Sequence, residues 1–166
     1  MAKAVASRKT KAKSKARPKA KPVARARSKP RAAARAKPRV KQTFTVSHHD
    51  DKDFVRDGLR KYAEYRDLGM AKATGGMVQA HIVRIADGVD PAAIKQALHY
   101  HDVQFQMVFI LKGWMLGEYE GHGQHMMREG SCWLQPPRIV HKVLDQSKDL
   151  QVLEIIMPAD FPTVDV

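Results

Sequence analysis

Two histidines, His99 and His101, stand two apart at the start of an apolar run, LHYHDVQFQMVFILKG, at residues 98–113. Side chains alternate between the two faces of a strand, so both imidazoles would point to one side and Tyr100 to the other. Residues two apart on a strand lie about 7 Å from each other, and their rings can converge on one metal ion. The spacing therefore predicts either half of a metal site or two histidines at the margin of a sheet.

Two segments of the chain, 99–113 and 130–145, resemble the two sequence motifs of the cupin superfamily. The first cupin motif is His-x-His, three or four residues, Glu, six residues and Gly. Here His-x-His at 99–101 is followed by four residues, Gln106, six residues and Gly113. The second motif is Gly, five residues, Pro-x-Gly, two residues, His, three residues and Asn. The same spacing gives here, in order, Gly130, Pro136, Arg138, His141 and Asp145.

The resemblance covers about residues 75–160 and implies a mainly β fold, a double-stranded β-helix or jelly-roll barrel. It also implies a divalent metal such as iron, manganese, nickel or zinc, held inside the barrel by His99, His101, Gln106 and His141. Cupins often dimerise, so we expect a homodimer. The function implied is that of a small-molecule enzyme of dioxygenase-like type, or one with isomerase or lyase chemistry. The alternative is a non-catalytic ligand-sensing or dimerisation module.

Three positions depart from the cupin pattern: Gln106 replaces Glu, Arg138 replaces Gly, and Asp145 replaces Asn. The amide of Gln106 offers a carbonyl oxygen but no charge. Three imidazoles and an amide leave the charge of the ion uncompensated, which favours weaker metal binding and an anionic substrate. Two alternatives stay open, namely that Gln104 reaches the ion instead or that no metal binds. The Arg138 guanidinium could bind a carboxylate at the barrel mouth or simply cover the surface.

Other side chains have both a structural and a functional interpretation. Trp114 and Trp133 are predicted to pack in the core or at the barrel mouth, and Trp114 is the candidate for a contact with substrate. His81 could line the interior or lie partly exposed on a sheet. Cys132 is the single cysteine, so no intramolecular disulfide is possible, which fits a reducing compartment. We therefore expect a cytoplasmic protein.

The body of the chain is patterned mostly as strands. Apolar residues at spacings of three and four predict an amphipathic helix over 54–68, and a glycine pair predicts a turn at 75–76. Residues 77–85 alternate like a strand, and a short helix could lie at 91–97. Short strands at about 98–102, 104–112, 114–120, 123–128, 131–135, 138–145 and 149–157 predict an antiparallel sandwich or barrel.

Residues 1–42 form a basic low-complexity tail. They hold 17 of the 30 Lys and Arg residues and none of the 17 acidic ones, so the remainder carries a formal net charge of −4. Four prolines and few apolar residues predict disorder. The composition is similar to the tails of linker histones and bacterial histone-like proteins. It predicts non-specific nucleic-acid binding, and a nucleoid-associated protein, through residues such as Lys11, Lys13, Arg25 and Arg27.

The predicted organisation is thus a disordered tail at 1–42, a helical lead-in at 43–74 and a cupin barrel at 75–166. No apolar run is long enough to predict a membrane span. A solubilising role for the tail, or its attraction to an acidic membrane surface, remain alternatives to nucleic acid.

Overall fold

The structure is a computed structural model that describes residues 40–166. Its strands form two antiparallel five-stranded sheets, one in the order β1-β2-β9-β4-β7 and the other in the order β10-β3-β8-β5-β6. The strands are β1 Ala63–Asp67, β2 Gln79–Ile85, β3 His99–His101, β4 Phe105–Lys112, β5 Trp114–Tyr119, β6 Gly123–Arg128, β7 Cys132–Leu134, β8 His141–Gln146, β9 Gln151–Met157 and β10 Thr163–Asp165. One α-helix, α1 at Met70–Ala73, and 3-10 turns at Asp51–Asp53 and Pro91–Ala93 complete the described elements.

Alternating burial along the central strands places the core between the two sheets. On β4 the side chains of Gln106, Val108 and Ile110 are buried, whereas their neighbours are less so. On β5 the buried positions alternate in the same way and include Met115 and Tyr119. Each fully buried apolar side chain stabilises the fold by about 1.5–3 kcal/mol relative to an exposed one. The mainly β, jelly-roll prediction is confirmed.

The tight turn between β4 and β5 depends on Gly113. Its φ is +75°, a left-handed conformation, and a Cβ there would lie 2.2 Å from Oγ of Ser147. Glycine is the residue that accepts both conditions without strain. The Gly113 of the first motif is therefore explained by backbone geometry.

The predicted helix over 54–68 is wrong. Residues 63–67 form the edge strand β1, which pairs with β2 from Ala63 opposite Ile85 to Asp67 opposite His81. Before it the chain turns back on itself, so that Val55 bridges to Tyr65. Gly58 lies against the Tyr65 ring so closely that a Cβ would be 2.3 Å from it. Spacings of three and four over so short a segment fit a helix, but pairing with β2 decides the outcome.

The tail prediction concerns residues that lie mostly outside the described range. Lys11, Lys13, Arg25 and Arg27 are among these residues, so their proposed contacts stay a prediction. Within residues 40–166, none of the helices has the length and apolar character needed to cross a bilayer.

Candidate metal centre

The three motif histidines come together at one end of the sheet that contains β3 and β8. His99 and His101 lie on the same face of β3, as their spacing predicts, and His141 begins β8 directly opposite His99. The ring centroids of His99 and His101 are 5.1 Å apart, and that of His141 lies 4.3 Å from the first and 5.2 Å from the second. One ring nitrogen from each lies within 4.8 Å of the other two. This is the convergence that a single ion requires.

Hydrogen bonds fix which nitrogen of each ring faces the centre. Nδ1 of His99 lies 3.0 Å from the carbonyl oxygen of Ala97, and Nδ1 of His141 lies 2.9 Å from that of Ile139. Because a carbonyl oxygen only accepts, these Nδ1 atoms carry the proton and each Nε2 keeps a free lone pair. Nδ1 of His101 is bonded to Oγ1 of Thr163 on β10 at 2.8 Å. Such outer contacts are typical of histidines that ligate metals.

The three rings are neutral at pH 7. Burial lowers the pKa of His99 to about 4, and it does the same for the pKa of His101. Burial also lowers the pKa of His141. Metal ligands must give up their protons, so imidazoles that are already neutral bind without competition from protons at neutral pH.

Gln106 stands where the cupin motif has its glutamate. Its side chain points into the barrel, is only 2% exposed and borders the same cavity as the three histidines. Among the described residues it makes no side-chain hydrogen bond, so its amide is directed at the cavity. Gln104, the alternative ligand, is exposed and does not border the cavity.

A second buried amide, Gln135, contacts the cluster from the position directly after β7. Its Nε2 lies 3.3 Å from Nε2 of His141, and its Oε1 accepts a hydrogen bond from Nε1 of Trp133 at 3.2 Å. The Trp133 contact shows that the amide nitrogen of Gln135 is the donor toward His141. This agrees with an unprotonated Nε2 on His141.

The cavity holds an ionised carboxylate, Glu154 on β9, opposite His81 on β2. Nε2 of His81 lies 2.8 Å from Oε2 of Glu154. Burial alone would raise the pKa of Glu154, but the hydrogen bond and the charge of His81 lower it below its ordinary value. Burial would lower the pKa of His81, yet the bond to Glu154 raises it. The pairing therefore favours the ionised form of Glu154 together with the protonated form of His81.

The cavity has a volume of about 540 Å³, a size suited to a small molecule. Tyr62, Tyr65 and Phe161 supply aromatic wall, and the segment that precedes β1 borders it with Arg60. The candidate substrate residues Arg138 and Trp114 do not border it.

Arg138 lies on the outer surface. Its guanidinium stacks over the Tyr100 ring at 4.7 Å and lies 3.7 Å from Asp102. Its φ of +63° is left-handed, which explains why the cupin motif has glycine at this position. Trp114 is half-buried on β5, where its backbone N–H donates to Ser147.

Sequence reasoning did not pick out Glu154, Gln135 or Arg60. A signal exists for Glu154, because it shares its strand face with the buried Val152 and Ile156. An acidic residue in phase with buried aliphatic ones is unusual and points to the interior. Gln135 and Arg60 lie outside any periodic pattern, so the sequence offers no comparable signal for them.

No family model matches this chain. No curated protein matches it either.

Solved structures do match it. The polyketide cyclase RemF from Streptomyces resistomycificus is similar at 16% identity with a TM-score of 0.55, over 74% of this chain and 86% of that one. KdgF from Halomonas sp. is similar at 18% identity with a TM-score of 0.52, over 69% of this chain and 94% of that one. A sugar phosphate isomerase of the cupin superfamily from Silicibacter pomeroyi is similar at 19% identity with a TM-score of 0.50, over 63% of this chain. The chain spans 66% of that isomerase, slightly less than two thirds of its length. At these identities the likeness shows the cupin fold.

Proposed function

We propose that the barrel holds a divalent transition metal between His99, His101 and His141, and that the protein is a metal-dependent enzyme acting on a small molecule. The observation that carries this proposal is the convergence of three neutral imidazoles within 4.8 Å of one another. Two of them have Nδ1 bound to a carbonyl oxygen, so their free Nε2 faces the centre.

The donor set fits iron, manganese, nickel or zinc better than magnesium or calcium, because imidazole suits transition metals. Gln106 would add its amide oxygen as a fourth donor from the floor of the cavity. Gln135 would give up its bond to His141 and, still anchored by Trp133, turn its amide toward a bound molecule. When bound, the ion would supply Lewis-acid or redox chemistry at an oxygen atom of the substrate.

The Glu154–His81 pair supports proton transfer as the reaction type. Glu154 is ionised and borders the cavity, so it could accept a proton from a bound molecule, while His81 stabilises its charge. This favours isomerase or lyase chemistry over the dioxygenase-like oxidation that the sequence first indicates. The fold itself does not choose, since a cyclase and an isomerase share it. Incorporation of solvent deuterium into a bound small acid, lost in Glu154→Gln, would test the assignment.

Metal analysis tests the site directly. Protein stripped of metal and offered iron, manganese, nickel and zinc in turn should bind one ion per chain. His141→Ala should lose this ion, whereas the exposed His122→Ala should keep it. If the stripped wild-type protein takes up none of these metals, the proposal fails.

A second proposal concerns the tail, and the charge distribution favours it. Residues 1–42 contain basic residues and no acidic ones, a composition that favours contact with phosphate backbones. The body would then be held on nucleic acid, as an enzyme or as a non-catalytic sensing module. Removing residues 1–42 should abolish DNA retention at low salt and leave the barrel folded. Equal retention by the truncated protein would remove this role. Sedimentation of the same two proteins checks the expected homodimer.

A further inference from the structure

Arg60 occupies a fixed position at the edge of the cavity. It lies in the irregular segment before β1, three residues ahead of Ala63, and its backbone N–H donates to the hydroxyl of Tyr65 at 3.2 Å. The same tyrosine ring lies against Gly58, with no room for a Cβ. The segment is thus held against the ring, and the side chain of Arg60 borders the cavity that contains the histidine cluster.

The guanidinium of Arg60 lacks a partner within the described part of the chain. Its Nη2 is buried and makes no hydrogen bond there. Arg84 is paired with Glu64 and Asp51. Arg66 also has a buried atom without a hydrogen bond, its Nε, but that atom lies 3.8 Å from a carboxylate oxygen of Asp53, and Nη2 of Arg66 donates to Ser47. Arg60 is only partly buried, but a buried donor atom without a hydrogen-bond partner is costly, and such atoms are normally paired.

The carboxylates around the cavity do not neutralise Arg60, so its charge favours binding of an anion. Glu154, a carboxylate that borders the cavity, is already paired with His81. Asp57 and Asp67 are exposed at the rim, and neither lies within salt-bridge distance of Arg60. Arg60 therefore has no carboxylate partner within residues 40–166, and its positive charge remains at the edge of the cavity. A metal ion at the cluster would add to this excess positive charge.

We infer that Arg60 binds the carboxylate of the substrate, and that the cavity takes small carboxylic acids that carry a second oxygen donor. A single guanidinium fork matches one carboxylate in a bidentate manner. A phosphate group would call for further cations, and the other arginine at the cavity, Arg84, is already paired. The volume of about 540 Å³ limits the acid to a small one. The second donor would reach the histidine cluster, and that part of the inference rests on the proposed metal site.

The test is calorimetric titration of the full chain, metal-free and cobalt-loaded, with succinate and its neutral diamide. The wild-type protein should bind succinate more tightly than the diamide. Arg60→Gln should lower the affinity for succinate by about tenfold or more, as expected for loss of a charge-assisted hydrogen bond. Its affinity for the diamide should equal that of the wild-type protein. Arg60→Lys keeps the charge but lacks the two parallel N–H donors of the guanidinium. Its affinity for succinate should lie between those of the wild-type protein and Arg60→Gln. The matched control Arg128→Gln, at an exposed position away from the cavity, should bind succinate within about twofold of wild type.

Several results would overturn the inference. They are equal succinate affinity in Arg60→Gln and wild type, succinate that binds no better than its diamide, and inorganic phosphate that binds more tightly than succinate. Cobalt content measured on the same samples separates this inference from the metal site. A wild-type protein without cobalt would contradict the site, while the metal-free titration would still decide the role of Arg60. Urea unfolding of Arg60→Gln should show no loss of stability, because the lost guanidinium has no partner within the described residues.

Discussion

Replacing Gln106 by glutamate should tighten metal binding strongly. A unit negative charge about 4 Å from a doubly charged ion gains about 8 kcal/mol at an effective dielectric constant of about 20. The side chain is only 2% exposed, so burial of the carboxylate costs several kcal/mol in return. A net gain of about 2–4 kcal/mol corresponds to a dissociation constant that is about 30- to 700-fold lower.

The same substitution should destabilise the metal-free protein. Without an ion, the new carboxylate lies among neutral imidazoles and beside no cation within hydrogen-bond reach. The buried carboxyl group would take up a proton rather than stay charged, and burial of a polar group without a partner costs about 1–3 kcal/mol. Gln106→Glu should therefore destabilise the metal-free protein and stabilise the metal-loaded one. This combination identifies a ligand position, because a purely structural change would shift the stability of both states in the same direction.

Competition with a fluorescent chelator measures the metal affinity, and urea unfolding measures the stability of the stripped protein. Gln104→Glu is the matched control, because Gln104 is exposed and outside the cavity. It should change the affinity by less than about twofold and the stability by less than about 0.5 kcal/mol. If Gln106→Glu leaves the affinity within twofold of wild type, Gln106 is not a ligand. If Gln104→Glu tightens binding instead, the alternative ligand is correct.

Three further predictions follow from the titrating groups and the backbone. The metal-free protein should lose stability as the pH falls from about 6.5 to 4.5, because His99 and His101 have a folded pKa of about 4 and the unfolded chain binds more protons. The slope should approach about 1.4 kcal/mol per pH unit for each histidine, and urea unfolding that gives a flat profile would contradict it. Glu154→Gln should lower the pKa of His81, because burial lowers this pKa and the charge of Glu154 that raises it would be lost. An NMR titration of the imidazole measures this, and an unchanged midpoint would refute the pairing. Arg138→Gly should be more stable than Arg138→Ala by about 1 kcal/mol, because both lose the same contacts but only glycine adopts a φ of +63° without strain. Equal melting temperatures would show that the left-handed conformation is not maintained.

Seven of the eight strands from residue 98 onward could be predicted to within a few residues, and the short strand β10 was missed. Their turns are marked by glycines with positive φ, among them Gly113, Gly121 and Gly130. Between these turns the apolar residues alternate, which is the local signature of strands packed on one face. The signals that identify each of these strands come from residues close together in the sequence, so the strands can be predicted without knowledge of the tertiary structure.

The first strand could not be predicted in this way. Five apolar residues between 54 and 68 have helical spacing, but the segment gains more by pairing with β2 and by turning at Gly58. Strand pairing is non-local, and a short edge strand has no strong pattern of its own. The same limit applies to Arg60, whose position depends on how that segment folds back.

The residues of the candidate site could be predicted where the motif spacing identified them. Residues outside the motifs could not be predicted in this way. His99, His101, Gln106 and His141 border one cavity, as the motif counts lead one to expect. Their role as metal ligands stays a prediction. Arg138 was chosen from the motif alone, and its position outside the cavity could not be known without the left-handed turn that directs its side chain outward.

The neutral Gln106 and Arg60, whose Nη2 has no hydrogen-bond partner within residues 40–166, belong to one electrostatic arrangement. A glutamate at 106 would compensate part of the charge of a bound ion and would repel a second carboxylate entering the same cavity. The carboxylate that this cavity does contain, Glu154, is paired with His81 and so cancels little of the charge of either the ion or Arg60. With an ion bound as proposed, the barrel would leave positive charge uncompensated at two places, the histidine cluster and Arg60. An acid with a carboxylate and a further oxygen donor would supply a ligand to both places at once. Under the proposed function, Gln106 in place of glutamate would then favour such a substrate while weakening metal binding.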